Sequence, residues 1–208
     1  MVTIRTEETT MSALTVGRWS DYGDGWEGLL ALWEDTDAPE GCRVELVEGT
    51  VTVAPPPSKS HTLITSRVHQ RLLAMAPSDW GVFQNLGLAV PPRAGLYVPD
   101  LVVAPDAALL GEGTWIRGHE AALVIEITSP GNARHDRVTK TAGYAQAGVP
   151  LYLLIDQWAT DTPELILYGE PETGVYRTLW SGKAGESVPM PEPFGRDLVT
   201  GDFPTPAP

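Results

Sequence analysis

Two carboxylates and an amine stand out in an otherwise apolar stretch of this chain. Asp100 opens the run D-L-V-V-A, Glu126 sits inside L-V-I-E-I-T, and Lys140 follows in D-R-V-T-K-T. A lone charge buried in an apolar strand is costly unless a partner compensates it. An acid in each of two such runs therefore needs a metal ion, a cation or several hydrogen-bond donors. Strand alternation turns Glu126 away from Ile125 and Ile127. If the two strands are neighbours, both acids point into one hollow. Two acids with a lysine close by are the parts needed to bind a divalent cation and a phosphate.

The elements that must position these groups are legible in outline. W-E-G-L-L-A-L-W (26–33) predicts a short helix, closed by the turn at 37–41. R-V-E-L-V-E-G-T-V-T-V predicts a hairpin turning at Glu48-Gly49. Glu45 lies on its first strand, either as a third acid of the hollow or as a residue facing solvent. Pro55-Pro56-Pro57 ends the hairpin, and Ser58 or Ser60 caps a helix to about Met75, with Ile64, Val68, Leu72 and Met75 at helical spacing. His61 opens that helix, as a phosphate or water contact or as an ordinary surface residue. His69 is too distant to share a metal with it.

Residues 80–90 predict one strand, and 106–120 an exposed loop. A helix from His135 or Asp136 to Ala147 sets Val138, Ala142 and Ala145 on a core face. It sets Asp136, Lys140 and Tyr144 along another stripe. From that stripe Lys140 can reach over the preceding strand; the alternative is a surface Asp136–Lys140 pair worth roughly a few tenths of a kcal/mol. Residues 150–156 predict a central strand, 164–168 and 174–180 a further pair, and 186–189 one more strand. The sum is an α/β fold with a mixed sheet. We expect a flexible lead at 1–18, one domain at 19–200 and a tail at 201–208.

Several of these pieces resemble the Uma-type restriction endonucleases, a branch of the PD-(D/E)xK nuclease superfamily. The resemblance rests on V-E-L-V-E-G (44–49), V-P-D-L-V-V (98–103), V-I-E-I-T-S-P (124–130) and D-R-V-T-K-T-A-G-Y-A-Q-A-G-V-P-L-Y-L-L-I-D (136–156), and it spans roughly 25–200. It implies a restriction-endonuclease-like core, a mixed sheet flanked by helices, and Mg²⁺-dependent hydrolysis of DNA with Mn²⁺ as substitute. Asp100 and Glu126 would bind the metal together with the Ile127 carbonyl. Glu45 would complete the site, and Lys140 would orient the attacking water. One departure stands out: Thr128 occupies the place, two residues after the glutamate, where the superfamily carries its lysine. The Uma type is similar in carrying that lysine on the following helix, where Lys140 lies. On this reading His61, Arg134, Arg137 and Tyr144 contact the substrate. A homodimer would match the two-fold symmetry of duplex DNA.

Composition constrains the rest. A chain of 208 residues, 42% apolar, can bury one good core. No apolar run approaches the ~20 residues of a membrane span, and the N-terminus lacks a signal-peptide core, so we expect a cytoplasmic protein without membrane association. The single cysteine, Cys42, excludes an internal disulfide and a cysteine zinc cluster. A net charge of −13 is awkward for a DNA-binding protein. Basic residues gather locally, however, at Lys59, Arg67 and Arg71 and at Arg134, Arg137 and Lys140. These form either a basic rim or solvated helix faces.

Phosphate-cradling glycine loops, a G-x-S-x-G elbow and H-E-x-x-H are absent. The catalytic reading that survives is an oxygen-ligated hard cation, Mg²⁺ or Mn²⁺. Two other classes stay open. One is a nucleic-acid-binding or regulatory module that keeps the nuclease fold but cuts little, which the acidic balance favours. The other is an interaction protein whose seven tryptophans serve core and dimer contacts.

Overall fold

The computed structural model describes residues 14–18, 25–160 and 162–204. In chain order its strands are β1 (Leu14–Arg18), β2 (Arg43–Val47), β3 (Thr50–Ala54), β4 (Trp80–Phe83), β5 (Gly87–Val90), β6 (Gly95–Tyr97) and β7 (Leu101–Pro105). There follow β8 (Trp115–Arg117), β9 (Leu123–Ile127), β10 (Leu151–Asp156), β11 (Glu164–Glu172), β12 (Val175–Lys183), β13 (Val188–Pro189) and β14 (Asp197–Leu198). The helices are α1 (Gly25–Asp35), α2 (Lys59–Met75) and α3 (Thr141–Gln146), the last continuing a π-helical turn at His135–Lys140.

The strands form two six-stranded sheets, ordered β1-β3-β2-β6-β5-β8 and β12-β11-β10-β9-β7-β4, with β13 and β14 as a separate pair. Both sheets are mixed: β5–β8 and β9–β10 run parallel and the other pairs antiparallel. This is the mixed-sheet α/β architecture expected. Among the described residues no helix is long and apolar enough to cross a membrane.

Local chemistry explains the elements that carry the site. The β2–β3 hairpin turns through Glu48 and Gly49, both at positive φ (50° and 72°), the backbone that two-residue hairpins require. α2 begins where the Ser58 hydroxyl accepts the His61 N–H. Its stripe of Ile64, Val68 and Leu72 packs against Leu123, Ile125 and Ile127 of β9. Each such side chain contributes about 1.5–3 kcal/mol by leaving water. Val124, on the opposite face, packs with Tyr144, Tyr152 and Leu154. Glu126 shares that face by alternation, so it points towards α3 rather than α2.

Four expectations change. Leu14–Arg18, placed in the flexible lead, forms β1 and pairs with β3; the rest of the lead lies outside the described residues. The run 80–90 is two strands in different sheets, separated by Asn85 at φ 58°. Both halves are largely apolar, so composition concealed the break. The expected loop 106–120 contains β8. Val138 is 62% exposed instead of facing the core. It lies in the π-helical turn, whose extra residue shifts the periodicity assumed for an α-helix.

α3 approaches the first sheet closely because residue 143 is glycine: a Cβ there would fall 2.5 Å from the Tyr97 ring.

Candidate active site

The antiparallel register that pairs Leu101 with Ile125 brings Asp100, just before β7, beside the end of β9. β2 supplies Arg43 and Glu45, α2 supplies His61, and the π-helical turn supplies Asp136 and Lys140. Glu45, His61, Asp100, Glu126, Asp136 and Lys140 are each at most 6% exposed, so this is a charged cluster set inside the protein. It lines a cavity of about 310 Å³ bordered by the Pro55–Pro57 segment and the loop Ser129–Asn132.

Asp100 is heavily engaged. Its Oδ1 accepts from Arg43 Nη1 at 2.8 Å. Its Oδ2 accepts the Ile127 N–H at 2.8 Å and meets His61 Nε2 at 3.0 Å. Burial alone would raise its pKa, but Arg43, His61 and the Ile127 amide together hold the carboxyl far below the usual range.

Lys140 is the second hub. Its ammonium donates to Glu45 Oε1 and Glu126 Oε1, both at 2.9 Å, and lies 3.6 Å from Asp136 Oδ1. Burial would strip its proton, yet Glu126, Glu45 and Asp136 raise its pKa well above the usual value. Glu126 Oε1 also accepts the Tyr144 hydroxyl at 2.6 Å, and Glu45 Oε1 the Val98 N–H at 2.7 Å. Burial, added to the repulsion between the acids, pushes the Glu126 and Asp136 carboxyls up. Four carboxylates, at Glu45, Asp100, Glu126 and Asp136, thus face two permanent cations, Arg43 and Lys140. With every acid ionised, two negative charges are in surplus.

The family model for Uma2, described as a putative restriction endonuclease, matches residues 26–200. The chain belongs to the Uma2 family. No curated protein matches it. Four solved chains do. One is a putative nuclease belonging to DUF820 from Anabaena variabilis ATCC 29413, similar at a TM-score of 0.66 and 18% identity over 86% of this chain and 97% of that one. At that identity the likeness is one of fold.

In this Uma2 chain the cavity gathers Glu45, His61, Asp100, Glu126, Ile127 and Lys140 from the residues singled out in the sequence. Lys140 is no surface partner of Asp136; its ammonium lies directly against two acids. Thr128, in the place of the superfamily's lysine, is fully buried and joins β9 to the end of β10. Its hydroxyl donates to Asp156 Oδ1 at 2.9 Å and accepts the Gln157 N–H at 3.0 Å.

The other three residues expected at the substrate do not line this cavity. Tyr144 is fully buried behind Glu126, where it fixes the carboxylate and is out of a ligand's reach. Arg137 is held by Asp156, with Nε 2.5 Å from Oδ2 and Nη2 2.8 Å from Oδ1. Arg134 is exposed and does not line the cavity. Sequence reasoning missed two members. Arg43 precedes Glu45 by two residues on one strand, and that spacing could have placed both on one face. Asp136, expected on the Lys140 stripe or as its surface partner, is instead a buried acid of the cavity.

Among the described residues no three His, Cys, Asp or Glu side chains stand grouped to hold a metal ion. A set of two carboxylates and a carbonyl asks for no such trio. The Ile127 N–H points at Asp100, and in an extended strand a residue's N–H and C=O face the same edge. Its carbonyl is therefore turned towards the end of β7 where Asp100 lies.

Proposed function

We propose that this chain hydrolyses phosphodiester bonds in DNA at the Glu45–Asp100–Glu126–Lys140 cavity, with Mg²⁺, or Mn²⁺ in its place, as cofactor. The observation that carries the reading is a buried cavity in which four carboxyl groups face Arg43 and Lys140, with the lysine ammonium already seated on Glu126. The donors fit a hard cation: they are oxygens, thiols are absent, and a divalent charge would match the two negative charges left when every acid is ionised. Asp100, Glu126 and the Ile127 carbonyl would hold it. When bound, the cation would activate water and screen the phosphate charge.

The chain's own groups do the rest. Glu45, fixed by the Val98 amide, holds the Lys140 ammonium in place. A lysine whose pKa lies well above its usual value keeps its proton at neutral pH. It therefore acts as a donor that orients the attacking water and offsets charge growing on the phosphate oxygens, not as a base. Tyr144 fixes the orientation of Glu126. Arg43, part-exposed and paired with Asp100, would turn its side chain towards an incoming phosphate and so leave Asp100 able to hold the cation. For a duplex substrate a symmetric homodimer would supply one site per strand. The residues involved fall within the 19–200 domain, and the free Cys42 suits a reducing cytoplasm.

The engagement of Asp100 by Arg43, His61 and Ile127 favours one rival, a binding module with this fold that cuts little. Nicking of supercoiled plasmid with Mg²⁺ or Mn²⁺, compared with chelator and with Glu126→Gln, separates the two. Metal-dependent nicking lost in the variant supports hydrolysis. Retention of plasmid on the protein without nicking at any metal concentration supports the module.

A further inference from the structure

Two more cavities adjoin the acid site, and shared residues join all three. One, of about 390 Å³, runs along α2 past His61, Thr65 and His69 to Gln84 and Asn85 in the β4–β5 turn. The other, of about 550 Å³, continues from Asn85 between Trp33 of α1 and Trp115 of β8. Asn85 borders both, Asp100 and His61 border the first and the acid cavity, and Arg43 borders all three. The result is one groove with the acids at one end and two tryptophans at the other.

Its chemistry is specific. Among the described residues lining the two outer cavities, Arg43 is the one Lys or Arg. A duplex carries the denser phosphate charge and depends on such contacts more than a single strand does, and a chain of net charge −13 offers few. The groove instead supplies side-chain amides, which pair with base edges, and aromatic rings, on which unpaired bases stack. Gln84 and Asn85 are both exposed, and Asn85 is held at φ 58°, a left-handed backbone that asparagine tolerates better than most residues. Trp33 and Trp115 are only partly buried, packed on one side against the Leu46–Val51–Leu96 core.

We infer that this groove seats an unpaired nucleic-acid strand, with one base read by Gln84 and Asn85, the next stacked at Trp115, and the connecting phosphate taken by Arg43. The inference rests on the nuclease reading and names its substrate form, a single strand. A single strand needs only one active site.

The test is fluorescence anisotropy of a labelled twelve-nucleotide DNA strand and of its duplex, in chelator at fixed salt. It uses the wild-type protein, Trp115→Ala, Gln84→Ala and Asn85→Gly, the last chosen because glycine accepts the left-handed backbone. The strand is expected to bind at least about tenfold tighter than the duplex. Trp115→Ala is expected to cost about tenfold, as loss of a stacked base does, and binding is expected to quench tryptophan emission in the wild type. Gln84→Ala and Asn85→Gly, on an exposed turn, keep the test valid if Trp115→Ala melts early. Duplex binding equal to or tighter than the strand, or strand affinity unchanged in folded Trp115→Ala and both turn variants, overturns the inference. A cleavage assay run alongside keeps the two readings apart. Strand binding that depends on the groove without any cutting leaves the groove standing and removes the nuclease. Duplex cutting that ignores all three variants does the reverse.

Discussion

Two acid–base clusters sit at the ends of the neighbouring parallel strands β9 and β10, and they are built to opposite plans. At the end of β10, Asp156 receives two hydrogen bonds from Arg137, one from Thr128 and one from the Trp158 N–H. One acid meets one cation, both carboxylate oxygens are used, and these partners outweigh burial to lower its pKa. On β9, Glu126 shares a single ammonium with Glu45 and Asp136, and both of its hydrogen bonds go to Oε1. The first cluster is complete as it stands. The second sets three carboxyl groups around one ammonium, more acid than a structural ion pair needs. Residue types alone do not distinguish the two; the charge balance and the number of partners do.

The contrast breaks most sharply on substitution. Asp100→Asn and Glu126→Gln keep shape but remove charge, and metal-dependent cleavage should fall below detection in either while circular dichroism stays native. Lys140→Ala should lose about 10²–10³-fold in turnover while still binding the cation, and Lys140→Arg should be poor too, because a planar fork does not replace a compact charge. Because Lys140 is buried between acids, the alanine variant should also be less stable, by about 3–5 kcal/mol in the metal-free protein. A stable, fully active Lys140→Ala would erase the distinction between the clusters. Arg137→Ala, in the complete cluster, should cost about 1 kcal/mol of stability once its 38% exposure is allowed for, with cleavage below the melting range unchanged.

How much of this was legible in the sequence depended on range. Lys140 could be placed because its helix follows Glu126 after a short loop, and the hydrophobic stripe of α2 because it is regular. Val138 leaves the core face because a π-helical turn changes which residues share a face, and no composition signal announces it. Tyr144 does share the Lys140 stripe, but its full burial against Glu126 needs the fold. Arg137 looked free because its partner, Asp156, lies on a strand nineteen residues later. Strand spacing sets Arg43 on the face of Glu45, but its partner Asp100 lies 57 residues later, beyond any local pattern.

Two smaller effects sharpen the comparison. Asp136→Asn removes a buried acid whose carboxyl is pushed up chiefly by burial, so the metal-free protein should melt a few degrees higher, about what 1 kcal/mol yields in a chain of this size. The pH dependence follows with its sign. Glu126 and Asp136, raised in the folded state, bind protons that the unfolded chain has released, so stability falls as pH rises from about 4 towards their folded values. Asp100 and Asp156, lowered in the folded state, contribute stability above about pH 4 that is lost as pH falls through their folded values. Melting in chelator should therefore rise from pH 7.5 towards about 4.5 and drop below it, and the rise should shrink in Asp136→Asn. An unchanged rise in that variant would move its cause away from the acid cavity.

The most direct test of the central claim is a calorimetric Mn²⁺ titration at pH 7.5 on the wild-type protein and Glu126→Gln. Saturable binding by the wild type, at least about tenfold weaker in Glu126→Gln, is the predicted result, since the variant removes one of the charges proposed to hold the ion. No binding to the wild type, or equal affinity in both proteins, would contradict the assignment of this cavity as a divalent-cation site.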